Sequence, residues 1–212
     1  MRVFLLGGVA GPILFVLVVI FAASMRPDYS HIHHFISDLG ATGSPNAAIM
    51  NYVGFLPAGL LVASFGLALP GAFPRTPLVL ACAALVVLFG LGVATSGVVS
   101  CDPGCPREAG STENAIHNRI APAAFVCLIA AAGIFGARFR TLSPWRGLAL
   151  YSAASAFLGV LLLAALASTL ETRHLTGMWQ RLLLLVLFSW CAVVSLNAYR
   201  SSGPSNSGAP SA

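Results

Sequence analysis

Histidines and acidic residues are the side chains of this sequence that could carry acid/base or metal chemistry. Three histidines, His31, His33 and His34, lie within four residues, and Asp38 follows shortly after them. If segment 28–40 is helical, then His31, His34 and Asp38 share one face of that helix. Imidazole and carboxylate groups so placed could bind zinc or another transition metal. The candidate metal ligands are His31, His34, Asp38 and His117.

Segment 28–40 is predicted to be a short helix on the membrane surface. Asp28 or Ser30 would cap its N-terminus, and Gly40 would follow its C-terminus. The same histidines could instead hydrogen-bond to loop backbone at the interface. The sequence leaves both interpretations open.

Two further carboxylate–imidazole pairs stand at the start of later apolar stretches. Glu113 and His117 are four residues apart, and Glu171 and His174 are three apart. A carboxylate beside an imidazole fixes the tautomer of the ring and raises its basicity for proton transfer. Polar residues that simply end a helix are the alternative. The candidate catalytic residues are His34, Asp38, Glu113, His117, Glu171 and His174.

Polar residues within the apolar stretches predict a binding site. An arginine at the centre of a bilayer costs about 3 kcal/mol, so Arg119 and Arg181 should lie near helix ends or face the bundle interior. Together with neighbouring polar side chains they could bind a phosphate or carboxylate, or could act as interfacial anchors. The candidate ligand-binding residues are Asn51, Asp102, Asn118, Arg119, Trp179 and Arg181.

Cys101 and Cys105 bracket the turn-forming triplet Asp-Pro-Gly and are predicted to form a structural disulfide. Closing so short a loop stabilises the fold by only about 2 kcal/mol, so its effect would be local, holding Asp102 over the helix ends. A redox thiol pair is the alternative, although its usual spacing is CxxC. The other cysteines, Cys82, Cys127 and Cys191, lie in apolar stretches.

The composition identifies the kind of protein that positions these groups. Of 212 residues, 58% are hydrophobic and 8% are charged, and the mean hydropathy is +0.88, which excludes a soluble enzyme. The sequence predicts an all-α bundle of six transmembrane helices over residues 1–200 and a disordered tail over 201–212. The predicted spans are 3–24, 47–69, 77–99, 117–137, 147–168 and 177–199. A cleaved signal peptide is the alternative for the first span, but its apolar run is longer than usual.

Arginine sets the predicted orientation because the chain has no lysine. Six arginines fall on the side of the termini and three in the opposite loops, which favours cytoplasmic termini in the cell membrane. Every acidic residue and histidine falls on the opposite side. The net charge of +5 therefore suits anionic lipid headgroups and is not the mark of a nucleic-acid-binding protein.

Segment 36–45 (ISDLGATGSP), followed by Asn51 and residues 54–59, resembles the bacterial membrane-protein family catalogued as domain-of-unknown-function 998. The loop 101–106 (CDPGCP) with the later His117 is similar to that family's acidic-proline loop and following histidine. The resemblance implies a compact six-helix bundle and no established activity. It assigns no role to the histidine cluster or to the paired cysteines.

The sequence therefore predicts a polar site at the outward-facing mouth of the bundle. Its expected partners are membrane lipids and an amphipathic ligand, either a lipid or an isoprenoid-like molecule, on which a carboxylate–imidazole pair would perform acid/base chemistry. A small transporter, a lipid-binding module, a subunit of a membrane assembly and a zinc-dependent hydrolase are the alternatives. The oligomeric state is left open.

Overall fold

Six long helices make up a computed structural model of this chain, which describes residues 2–203. Within those residues the structure has no strand, and all six helices are long and apolar enough to cross a membrane, so the predicted all-α membrane fold is confirmed. The tail predicted to be disordered lies outside the described residues from position 204 onward. The helices are α1 (Arg2–Ser24), α2 (Ala47–Gly71), α3 (Pro77–Ser96), α4 (Thr112–Phe139), α5 (Gly147–Ser168) and α6 (Thr176–Ser201).

The helices form a closed ring. Each packs against its neighbours in sequence, and α6 returns to pack against α1. Both termini lie at one end of this ring of helices. There Arg2 donates to the carbonyl of Tyr199 over 3.1 Å, and its guanidinium stacks on the Tyr199 side chain. Small residues such as Gly59 and Gly90 let α2 and α3 approach closely, because a side chain at either would meet the partner's backbone.

Helix α2 is widened into a π-helix at Met50–Phe55. Pro57 has no N–H to donate to the carbonyl four residues earlier, so the helix cannot continue in regular form there. The amide of Leu56 instead bonds back to the carbonyl of Asn51, five residues earlier. Asn51 thereby lies buried in the widened turn, next to the point where Gly97 of the following connection packs.

The end of the bundle opposite the termini is called here the polar face. It consists of the connections 25–46, 97–111 and 169–175, which are bonded to one another. Thr42 N donates to the carbonyl of Cys101 over 2.9 Å, and Leu175 N donates to Nδ1 of His33 over 3.3 Å. The polar face also contains the disulfide Cys101–Cys105, as predicted.

The first of these connections differs from the helix predicted over 28–40. Only Ile36–Gly40 is helical, as a short 3₁₀ segment, and the residues before it form turns. The Ser30 hydroxyl accepts from the amides of Ile32 and His33, and the Ser30 amide donates to Nδ1 of His34. These side-chain bonds replace helical ones, so His31, His34 and Asp38 do not line one helical face.

Candidate functional site

A cavity of about 300 Å³ opens at the polar face between α4, α5 and α6, and is called here the central cavity. Its inner wall is apolar and includes Phe125 of α4 and Leu163 and Leu166 of α5. A smaller cavity of about 50 Å³ shares Ser37, His117, Phe125 and Gln180 with it. The polar groups of the central cavity are Ser37, Arg107, His117, Asn118, Arg173 and Gln180. The cavity thus joins a polar mouth to an apolar interior.

His117 is the buried titratable group of this cavity, with 4% of its surface exposed. Its Nδ1 lies 2.8 Å from the carbonyl oxygen of Val99, at the end of the preceding connection. Since a carbonyl can only accept, Nδ1 must carry the proton of the neutral ring. The lone pair is then on Nε2, the ring nitrogen that remains for a ligand in the cavity. Glu113, its predicted partner, is solvent-exposed.

Two arginines give the mouth of the central cavity its positive charge. Arg173 donates to the carbonyl of Cys105 over 2.6 Å, and its guanidinium lies 4.7 Å above the ring of Phe35. Arg107 forms an exposed ion pair with Glu171 at 3.7 Å. The nearest protein group to the Arg173 charge is therefore a neutral carbonyl, which leaves that charge available to an anion.

The backbone around this mouth is strained. Cys105, Arg173 and Leu175 have φ values of 43°, 59° and 62°, in the left-handed region that residues with a side chain avoid. Such conformations cost on the order of 1 kcal/mol each and gather at functional sites. Two of the three residues, Cys105 and Arg173, line the central cavity. The strain therefore coincides with the cavity that the polar groups already indicate.

The disulfide positions Ser37 at the rim of the cavity. The Ser37 hydroxyl lies 3.4 Å from Sγ of Cys105, and the Ser37 carbonyl lies 3.6 Å from Sγ of Cys101. Asp102, between the two cysteines, accepts from the amide and the hydroxyl of Ser111, over 2.6 and 2.9 Å. The Asp102 carboxylate thus anchors the start of α4.

Asp38 belongs to the 3₁₀ segment Ile36–Gly40 and is 5% exposed. Its Oδ2 accepts from the amide of Phe35 over 2.9 Å, while its buried Oδ1 has no partner among the described residues. Burial raises the pKa of the Asp38 carboxyl, and His34 and two arginines oppose that shift. Asp38 and His34 are not part of the lining of the central cavity, although Phe35 and Ser37, which lie between them in the sequence, are.

The two asparagines that were predicted to bind a ligand donate hydrogen bonds to backbone carbonyls. Asn51 donates to the carbonyl of Gly40 and to the hydroxyl of Ser100, each over 2.9 Å. Asn118 donates to the carbonyl of Pro106 over 2.8 Å and also lines the central cavity. Asn51 therefore joins the connections of the polar face, whereas Asn118 can contribute to a ligand site.

The remaining predicted residues lie apart from the central cavity. His174 is exposed with its ring 5.5 Å from that of His33, and Trp179 packs against the hydrophobic core. Arg119 and Glu113 are exposed on α4. Their predicted roles in a ligand site remain predictions.

Metal ligands do not converge in the described part of the chain. Residues 2–203 contain no group of three or more histidine, cysteine, aspartate or glutamate side chains placed to hold an ion. His31 lines a different groove from His117, and Nδ1 of His34 already accepts from the backbone. The predicted zinc site therefore has no donor set here on which to build a mechanism.

Sequence reasoning did not select Ser37, Arg107 or Arg173 as site residues. Arg107 and Arg173 counted only among the three arginines of the loops opposite the termini, and Gln180 only among the polar neighbours of Arg119 and Arg181. The Gln180 side chain instead accepts from the amide of Ile36 over 2.8 Å while lining the central cavity. Arg173 lies in a tight turn that contains no glycine, so the sequence gives no signal that this arginine reaches the central cavity.

Comparison with known proteins finds one family. The family described as "Protein of unknown function (DUF998)" matches residues 9–197, which include all six helices in whole or in large part. No curated protein and no solved structure matches the chain.

Proposed function

The chain belongs to the DUF998 family of membrane proteins of unknown function, and from this premise we propose that it binds an anionic amphipathic molecule of the membrane in the central cavity. In this proposal His117 exchanges a proton with the bound molecule at Nε2. The observation that carries the proposal is a buried imidazole of fixed tautomer in a cavity with a cationic mouth and an apolar interior.

Charge and polarity indicate the class of molecule. Arg173 and Arg107 at the mouth would hold a phosphate or carboxylate, since guanidinium groups form charge-assisted hydrogen bonds with both. Phe125, Leu163 and Leu166 would contact a hydrocarbon portion. A lipid or an isoprenoid-like molecule has both parts and reaches such a site by lateral diffusion in the membrane.

The hydrogen bond to Val99 supports a proton-transfer role for His117. A general base needs a lone pair directed at the substrate and a partner that holds the ring in one tautomer. The Val99 carbonyl is the partner that holds the ring in one tautomer, and it adds no charge. Ser37 and Gln180 at the same cavity would bind the polar group of the substrate. A binding protein or carrier without chemistry would use the same arginines but would not need His117.

The test is to purify the protein and its variants and to identify retained lipids by mass spectrometry. The variants are His117→Gln, Arg173→Gln and, as a matched loss of charge beyond the other end of α4, Arg140→Gln. Each protein is then reconstituted into vesicles of a polar lipid extract, and the extract is analysed over time. We expect Arg173→Gln to retain less of an anionic amphipath than the other proteins do, and one lipid to be converted only when His117 is present.

Each outcome decides one part of the proposal. Equal retention in Arg173→Gln and the unaltered protein would contradict the binding site. Retention that depends on Arg173, with no lipid converted by any of the proteins, would contradict the proton-transfer step and indicate a binding or carrier protein.

We also propose that the polar face lies outside the cytoplasm, with both termini inside and the protein in the cell membrane. The disulfide supports this orientation because such bonds persist in oxidising compartments, and the arginines near the termini agree with it. A green fluorescent protein fused after residue 203 should fluoresce, whereas a periplasmic phosphatase fused there should be inactive. The reverse pattern would place the polar face in the cytoplasm.

A further inference from the structure

A second and larger cavity, of about 750 Å³, lies between α1 and α6 and is called here the lateral groove. It does not share the polar groups of the central cavity. Its sides are apolar, and exposed residues such as Val16 and Leu17 of α1 and Leu185 of α6 form its edges. These edges would face lipid in a membrane. The lateral groove is therefore open sideways to hydrocarbon.

The groove is long enough for a lipid chain. On α6 its lining runs from Met178 to Ala192, and fourteen residues of helix extend about 21 Å. That length exceeds half of the roughly 30 Å hydrocarbon thickness of a bilayer. An occupant would therefore extend from the polar face past the middle of the membrane.

One end of the groove is cationic. Arg181 lines it at the polar face, where Nη1 donates to the carbonyls of His34 and Gly177, and Nη2 donates to the Tyr29 hydroxyl. A guanidinium has five N–H donors, so Nε–H and one Nη2–H remain without an acceptor among the described residues. Nε and Nη2 form one edge of the guanidinium, and such an edge can bind a phosphate or carboxylate through two parallel bonds.

Within residues 2–203 no carboxylate forms an ion pair with Arg181. In the described residues the ion pairs are those of Arg26 and Arg107, and Arg181 contacts neutral acceptors. Burial raises the pKa of Tyr29 despite the nearby arginines, so its hydroxyl keeps its proton and cannot serve as a counter-ion. The N-terminus of α6 at Thr176, five residues before Arg181, adds further positive potential.

We propose that the lateral groove is a binding site for one anionic membrane lipid, with an acyl chain between α1 and α6 and the headgroup on Arg181 and His31. This site is separate from the central cavity and does not depend on the function proposed for it. A free anion would satisfy Arg181 but would leave the apolar groove open, whereas a lipid fills both parts.

The loop over the groove argues against a transmembrane helix as the occupant. His31 and Ile32 line the polar end, and the amide of Met178 donates to the carbonyl of Ile32 over 3.0 Å, which fixes that loop on α6. A helix that continued out of the membrane would meet this loop. Its apolar side chains would also leave the charge of Arg181 unpaired in a medium of low dielectric constant.

Native mass spectrometry of the protein from detergent micelles can test the site. The micelles carry either phosphatidylglycerol, which is anionic, or phosphatidylcholine with the same chains, which is zwitterionic. The variants are Arg181→Gln, Ala192→Phe to fill the inner end of the groove, and the charge-matched control Arg140→Gln. Ala192→Phe leaves the polar face untouched, so a folding defect in Arg181→Gln would not leave the proposal without a test.

We expect the unaltered protein and Arg140→Gln to retain phosphatidylglycerol in preference to phosphatidylcholine. Arg181→Gln and Ala192→Phe should each bind at least one phosphatidylglycerol fewer per chain, with an affinity for that lipid about tenfold or more lower. Arg181→Gln loses charge-assisted bonds to the headgroup, and Ala192→Phe loses contacts with the acyl chain. Arg173→Gln of the central cavity should keep the groove lipid, which separates the two sites.

Three results would overturn the inference. They are equal retention of the two lipids by the unaltered protein, unchanged retention in both Arg181→Gln and Ala192→Phe, and a dimer that excludes lipid and dissociates on Ala192→Phe substitution. The last result would assign the groove to a second copy of the chain.

Discussion

His117 of α4 donates to the carbonyl oxygen of Val99 over 2.8 Å and makes no pair with Glu113, one turn earlier on its own helix. The bond joins α4 to the connection that follows α3. A neutral backbone carbonyl thus fixes the tautomer of the buried imidazole. The proton on this ring is therefore fixed by the geometry of the fold and not by a carboxylate.

Loss of the His117 side chain should destabilise the protein even without a substrate. His117→Ala removes a buried ring and leaves the half-buried Val99 without a donor for its carbonyl, which costs about 1–3 kcal/mol in the free energy of unfolding. Glu113→Gln, at an exposed position of the same helix, should change that free energy by less than about 0.5 kcal/mol. Thermal unfolding of both variants in detergent measures the difference. Equal effects would show that Glu113 supports the ring after all.

The cysteine content should divide into three free thiols and one disulfide. Cys82, Cys127 and Cys191 are free, and Cys101 is bonded to Cys105. Alkylation of the denatured protein, followed by mass spectrometry, should add three groups before reduction and five after it. Replacement of both bonded cysteines by serine should lower the free energy of unfolding by about 2 kcal/mol or less, because the loop is short. Five alkylations without reduction would contradict the disulfide.

Asp38 should make stability fall as the pH rises. Because its pKa is raised in the folded state, the native protein holds the proton more tightly than the unfolded chain does. Stability is then greatest below about pH 4, the pKa of an unfolded aspartate, and is lost as the pH rises through the folded-state pKa. Asp38→Asn should remove this dependence and raise the unfolding temperature at pH 7. An unfolding temperature that falls at pH 7 would show that the charged carboxylate is stabilising.

Gly177 should be intolerant of any side chain. An added Cβ would lie 2.7 Å from the carbonyl of His31 and 2.8 Å from Nη1 of Arg181, and would also meet the carbonyl of His34. Gly177→Ala should therefore displace the loop on α6 and lower the unfolding temperature. Gly147→Ala is the matched control, since nothing lies within 4 Å of its added Cβ. Similar effects of the two substitutions would contradict the contact.

His31 should make lipid binding depend on pH. Burial lowers its pKa, and Arg181 lowers it further; Tyr29, whose ring centroid lies 5.3 Å away, keeps its proton. An anionic headgroup would favour the charged imidazole, so phosphatidylglycerol affinity should rise as the pH falls from 7.5 to below about 6.5. His31→Gln should flatten this profile while leaving the binding at pH 7.5 close to that of the unaltered protein. A steep profile in His31→Gln would place the titrating group elsewhere.

The positions of the helices could be predicted from the sequence because the thickness of the membrane sets the length of each apolar run. All six spans, the disulfide and the family were predicted correctly. Segment 28–40 was predicted less well, since the Ser30 hydroxyl and the His34 ring compete with helical hydrogen bonds in a way that residue spacing does not reveal.

The candidate site was predictable only in part. His117 and Asn118 were selected from the sequence and do line the central cavity. Spacing along a helix could not show that His117 bonds to Val99 from another segment or that Glu171 lies against Arg107. Arg173 reaches the cavity through a left-handed backbone conformation in a loop, which no periodic pattern reports.

The ring of helices closes through its last member, and this has a consequence for biogenesis. Gln180 and Arg181 belong to α6, which also forms one wall of the lateral groove against α1. Neither cavity is complete until α6 has left the ribosome and inserted beside a helix made about 150 residues earlier. A nascent chain that stops after α5 would expose the unpaired flank of α1 to the membrane, and quality-control proteases could recognise that flank as the signature of an unfinished protein.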